Sequence, residues 1–199
     1  MRDIFLEGLR VLDLLEITGS TATAARWAGC DQSSVSRTYR RVSEQLNLGF
    51  RKHAGRYRAS RNLELLGCLR QASQIHRLGR GASWLQWVSH IELPLTQELL
   101  QHGGPMPRSW TDAQQTLTLL QRRVLDLAVL PATVIPATVD AGAAAQLQAH
   151  GAGVTCQPMG ELALVMLEDL QDHPAMRRLA AQIDSSATLG APLPATAVH

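Results

Sequence analysis

A chain of 199 residues with 45% hydrophobic content, 19 Lys plus Arg and 17 Asp plus Glu has ordinary globular composition and length for one or two small cores, which excludes disorder throughout. The formal charge of +2 by itself favours neither nucleic acid nor membrane. That neutrality is an average: residues 1–82 hold 14 basic and 7 acidic side chains, net +7, and residues 83–199 hold 5 and 10, net −5.

An asymmetry of this kind suggests nucleic-acid contact by the basic part. Lys52 is the single lysine and the other 18 basic residues are arginine. Arginine's planar fork suits phosphates and guanine edges, although a genome rich in G and C also encodes it freely. Cys30, Cys68 and Cys156 are odd in number and far apart, which argues against a disulfide framework or a structural zinc site and fits a reducing compartment. No run of about 18 apolar residues occurs, so a soluble, cytoplasmic protein without membrane association is expected.

The elements follow in chain order. Phe5, Leu9, Leu12 and Leu15 recur at helical spacing and predict a first helix, stopped by Gly19-Ser20. Ser20 is placed to cap a short second helix over 21–28, whose Ala24, Ala25 and Ala28 allow close packing. Gly29-Cys30 reads as a turn. Asp31 is placed to cap a third helix reaching Leu46, with Val35, Tyr39, Val42 and Leu46 inward and Gln32, Ser33, Ser36, Arg37, Arg40 and Arg41 outward. The basic stretch 48–58, with glycines at 49 and 55, predicts a two-stranded wing. Ser60 is placed to cap a fourth helix reaching about Leu78. Its stripe of Leu65, Leu69, Ala72 and Ile75, with Leu66 and Leu78 nearby, calls for a partner, such as a second copy.

Beyond Gly79-Arg-Gly81 the pattern alternates. Strands are predicted at 84–88, 109–110, 125–130 and 162–167, and helices at 94–101, 112–123 and 173–183. Such alternation argues for a parallel α/β unit. Residues 132–153 are weakly patterned, and a disordered tail is expected from 185.

The spacing over Gly19–Leu46 is that of a helix-turn-helix, in which the second helix props the third so that its polar N-terminal residues enter the major groove. Gly19, Ser20, Ala24, Ala25, Gln32, Val35, Ser36, Arg37 and Leu46 also match the N-terminal pattern of LysR-type bacterial transcriptional regulators, which the chain resembles. Ala28, Asp31, Tyr39, Val42, Ser43 and Asn47 depart from it, mostly with the physics preserved: Asp caps as Ser does, and Asn tolerates a left-handed backbone. The family's wing pattern is compressed to Leu48-Gly-Phe-Arg51.

The resemblance implies double-stranded DNA as partner, with Gln32, Ser33, Ser36 and Arg37 as base-reading candidates and Arg40, Arg41, Arg51, Lys52 and Arg56 as phosphate contacts. It implies a homodimer or higher oligomer paired through a linker helix, with Leu65, Leu66, Leu69, Ala72 and Ile75 at the seam. Residues 111–130, where Arg123 or Val124 replaces a customary glycine, and 159–174 resemble part of the family's effector-binding region. Too few residues follow for a full second lobe, so an abbreviated region, with one lobe or a remnant of two, is expected. If a small-molecule effector binds, Ser89, His90, Thr111 and Pro131 are its candidate contacts, since strand ends and helix starts line such clefts. Each is equally a cap or turn residue.

The expected fold class is therefore α+α/β. An all-α winged helix-turn-helix domain (1–60) and a long linker helix (61–82) precede a small, truncated periplasmic-binding-protein-like α/β module (83–184) and a tail (185–199). The expected function is sequence-specific transcriptional regulation. The alternatives are a three-helix bundle with a solvated arginine face, and a truncated interaction protein that forms mixed dimers with full-length regulators. Enzymatic chemistry is not expected. Residues 81–85 lack the closing glycine of a nucleophile elbow and residues 151–156 the last glycine of a dinucleotide fingerprint. The histidines lack paired-ligand spacing, so neither cofactor nor metal is expected.

Overall fold

A computed structural model describes residues 4–82, 85–89, 103–105, 113–135 and 153–189. Three helices open the chain: α1 (Ile4–Thr18), α2 (Thr21–Ala28) and α3 (Gln32–Gln45). Helix α1 is buried along most of its length, with Leu9, Leu12 and Leu15 on the expected face and Val11, Leu14 and Ile17 on others; the side chain of Phe5 lies outside the described residues. Gly19 ends α1 in a left-handed conformation (φ 63°). The Ser20 hydroxyl then accepts from the Thr23 amide and caps α2. Asp31 does the same for α3, accepting from the Ser34 amide at 3.1 Å. Both caps satisfy amides that a first helical turn leaves orphaned.

Helix α3 ends at Asn47, whose φ of 49° lets the Leu48 amide donate back to the Ser43 carbonyl at 2.8 Å, a C-terminal motif that favours Gly or Asn. The wing follows as antiparallel β1 (Arg51–His53) and β2 (Arg56–Arg58). Its two-residue turn, Ala54-Gly55, has both φ values positive, the geometry whose twist matches that of the strands.

Helix α4 spans Leu63–Arg80, and Ser60 does not cap it. The Ser60 hydroxyl donates to the Gly49 carbonyl, held there by the tight turn at Gly49, while left-handed Asn62 occupies the cap position and donates its amide to the Leu46 carbonyl at 2.8 Å. This end of α4 is tied to the end of α3.

Among the described residues five strands form the second layer, in the order β4 (Gly103–Pro105), β3 (Trp87–Ser89), β5 (Leu127–Pro131), β7 (Leu162–Leu167), β6 (Val154–Met159). Strands β4, β3 and β5 run parallel, but β7 is antiparallel to both β5 and β6. The sheet is thus mixed rather than parallel, because β6 and β7 form a hairpin across Gly160-Glu161, and a short turn joins only antiparallel strands. Strands β4 and β6 lie where none was predicted. The strand expected at 109–110, the helix at 94–101 and Trp84 lie outside the described residues.

Two further α-helices among the described residues are α5 (Ala113–Gln121) and α6 (Pro174–Leu189). Helix α6 runs five residues into the stretch expected to be disordered. Ser, Ala and Thr there contain no Gly or Pro to stop it until Gly190, and the remainder lies outside the described residues. Every residue of Leu127–Leu130 and Ala163–Leu167 is buried, as strands covered on both faces require. One core gathers Leu9, Leu12, Val35, Val42, Phe50 and Leu66, and the other gathers the sheet with α5 and α6. Ile17 belongs to the second core although it sits on α1, and Trp27 packs against both.

Candidate nucleic-acid interface

Helix α3 buries Val35 and Val42 and exposes Gln32, Ser33, Arg37, Arg40 and Arg41, with Ser36 half-exposed. Close packing behind it sets its position: a Cβ on Gly8 of α1 would lie 2.6 Å from the Val42 Cγ2, so only glycine lets α1 approach there without a shift. An open groove of about 1070 Å³ runs between α1 and α3, flanked by Arg10, Cys30, Arg37 and Arg41.

Two of the base-reading candidates are already held. The Gln32 amide donates to the Thr21 hydroxyl at 2.8 Å, leaving its carbonyl and second N–H to pair with a base edge. The Ser33 hydroxyl donates to Asp31 at 2.6 Å, so what it retains for a ligand is acceptor capacity. The hydrogen bond from Ser33, followed by those from the Ser34 amide and hydroxyl, holds the Asp31 carboxyl down at about 2. Arg37 makes one long contact with the Ser34 hydroxyl, 3.3 Å, and is otherwise exposed on the helix surface.

The wing is fastened to this helix by three rings. Phe50 and Tyr57 stack at 5.9 Å, and Tyr39 of α3 meets Tyr57 edge-on at 5.5 Å. Arg40 lies 5.8 Å from the Tyr39 ring centroid and Lys52 5.6 Å from that of Tyr57, placements that a ring quadrupole favours for cations. Arg51 and Lys52 are exposed on β1. Arg56 is placed differently: it is half-buried at a narrow recess between the wing and α5, beside Glu16 and Arg122. Tyr39 was legible as an inward residue, but the cluster was not. Two aromatics flanking a glycine-rich basic stretch were its only signal.

Helix α4 presents its apolar stripe outward. Leu65 is 42% exposed and Ile75 63%, Ala72 is exposed and Leu69 half-buried. Leu63, at the start of the helix, is also exposed. Leu66 is the exception among the expected seam residues: it is 2% exposed, packed into the core that α1, α2, α3 and the wing share, and so is not available to a partner. The side of α4 facing the protein carries Arg70, Ser73, Gln74 and Arg77, all buried. Opposite them lie Asp13 and Glu16 of α1, and Asp126 just ahead of β5. Desolvation outweighs the attraction of Arg70 and Arg77 and lifts the Asp13 carboxyl to about 6.

Of the effector candidates, Ser89 is buried at the end of β3 and Pro131 half-buried at the end of β5. His90 and Thr111 lie outside the described residues. Arg123 has a φ of 57°, a left-handed conformation that glycine adopts most readily, and its guanidinium reaches Gln74 and Asp169. Among the described residues no helix is long and apolar enough to cross a membrane.

No family model matches the chain, and no curated protein matches it. Among solved structures, a point variant of full-length OxyR from Pseudomonas aeruginosa aligns at 15% identity with a TM-score of 0.37, over 77% of this chain and 54% of that one. The chain spans about half the length of that protein.

Proposed function

We propose that the protein is a sequence-specific regulator that binds double-stranded DNA as a homodimer, through α3 in the major groove and the wing alongside it. The observation that carries this reading is the joint placement of α3 and β1. Arg37, Arg40 and Arg41 stand exposed on one, Arg51 and Lys52 on the other, and the Tyr39, Phe50 and Tyr57 cluster fixes the two to each other. Gln32, Ser36 and Arg37 read base edges, and Arg40, Arg41, Arg51 and Lys52 hold phosphates. The uncovered apolar side of α4 pairs two copies, so the operator is a two-fold symmetric site. The α/β module with its mixed sheet corresponds to part of an effector-binding region, and the protein is not an enzyme.

Selection of bound fragments from random DNA at stated salt tests this. Enrichment of a two-fold symmetric motif is the expected result. The same uncovered α4 face favours a second reading, in which the chain pairs with longer regulators and sequesters them. Salt-labile binding with no motif would put that reading ahead.

A further inference from the structure

Arg70 crosses from α4 to α1, where its Nε donates to Asp13 at 2.8 Å and its Nη2 to Glu16 at 2.9 Å. All three side chains are almost completely buried. Two turns further along α4, Arg77 grips both oxygens of Asp126 at 2.8 Å, and the same carboxylate accepts from the Gln74 side chain at 2.8 Å and the Gln86 amide at 2.7 Å.

Buried ion pairs of this kind add little net stability over an apolar contact of equal volume, because desolvation offsets their attraction. What they add is direction. Apolar faces tolerate a slide or a rotation, whereas a fork that spans two carboxylates three residues apart on α1 is satisfied at one rotation and one axial position of α4. A slip of one turn, about 5.4 Å, would leave buried charges unpaired, which is strongly destabilising.

The two sides of α4 then bear on each other. Its outer side carries Leu65, Ala72 and Ile75, and its inner side is registered on α1, against which α3 is packed at Gly8 and Val42. We propose that Arg70, with Asp13 and Glu16, and Arg77, with Asp126, are positioning residues for DNA recognition: they fix the register of α4 on α1 and on the α/β module, and thereby the half-site spacing that a dimer accepts. The inference rests on the DNA-binding function proposed above.

The test takes the half-site selected by the full-length protein and presents it in duplexes whose spacing changes one base pair at a time over a helical turn. The protein itself should bind one spacing sharply. The triple variant Asp13→Leu, Glu16→Leu, Arg70→Met replaces the seam by apolar groups. It should unfold cooperatively and keep the half-site preference, while its discrimination between best and second-best spacing falls about tenfold. Arg70→Lys, which keeps the charge but cannot span both carboxylates, is the second variant and should broaden the profile in the same direction, so that misfolding of the triple variant leaves the test standing. An unchanged profile, or uniform weakening at every spacing, in either folded variant overturns the positioning role and leaves DNA binding intact. Failure of the unmodified protein to select any half-site overturns the DNA-binding function itself, and the positioning role with it.

Discussion

Ile75 offers a clean perturbation of the proposed seam. It is 63% exposed in the protomer, so Ile75→Ala removes little that the isolated fold uses, whereas Leu69 packs partly into the helix-turn-helix core and its replacement would damage protomer and dimer together. The substitution deletes three carbons at about 0.8 kcal/mol per buried CH2. Scaled by the 63% that a partner is free to cover, the loss at full cover is about 1.5 kcal/mol per protomer. A symmetric dimer carries the residue twice, so dimerisation weakens by about 3 kcal/mol, roughly a hundredfold in the dissociation constant. Sedimentation equilibrium across a protein dilution series measures this, with chemical denaturation of the monomer as control. An unchanged dimer constant alongside unchanged monomer stability would refute the assignment of this face to self-association.

Four further outcomes are expected. Gly8→Ala should destabilise the protein by about 1 to 3 kcal/mol through overpacking, and adding Val42→Ala should recover part of that; additive losses in denaturant titrations would deny the contact. Arg37→Ala should weaken binding by about 1 to 3 kcal/mol and relax preference at one base, with uniform weakening across sequences marking a phosphate contact instead. Because the Asp31 carboxyl lies at about 2, below its ordinary value, its contribution to stability is present above that ordinary value and is lost as pH falls through about 2. Asp31→Asn should lack this acid limb in pH-dependent unfolding, and an identical limb in both proteins would exclude the cap as its source. The Asp13 carboxyl is raised to about 6, so its charged form is penalised in the folded state. Relative to Asp13→Asn, the protein should gain stability as pH falls from about 7 toward 5. A loss over that interval would show that Arg70 outweighs burial.

The residues around the helix-turn-helix were legible because local rules govern them. Ser20 and Asp31 precede amphipathic runs and cap them, Asn47 takes the left-handed turn, and Gly49 precedes the wing while Gly55 makes its turn. Helix α4 was only half legible. Its leucines form a helical stripe, and a stripe alone does not say whether it faces its own protein or another; here the polar stripe Arg70, Ser73, Gln74 and Arg77 turned inward. A signal for that existed in α1, where Asp13 and Glu16 sit among Leu12, Leu14, Leu15 and Ile17. Charges inside so apolar a run demand partners, but more than fifty residues separate them from Arg70, a distance over which periodicity carries no information. Strand β6 escaped for a related reason: Gln157 and Pro158 weaken its pattern, and its place is set by pairing with β7, not by its own propensity.

That Ile17 lies in the core of the sheet while Leu15, two residues earlier, lies in that of the helix-turn-helix makes α1 common property of both halves. A fragment ending at residue 60 would keep α1, α2, α3 and the wing, yet it would bare Ile17 and strip Asp13 and Glu16 of Arg70. Chimeras that graft these three helices and the wing onto another domain must therefore bring a matching α4 and sheet with them, or redesign the exposed flank of α1. The boundary between the two cores runs, in this chain, through the last turn of α1.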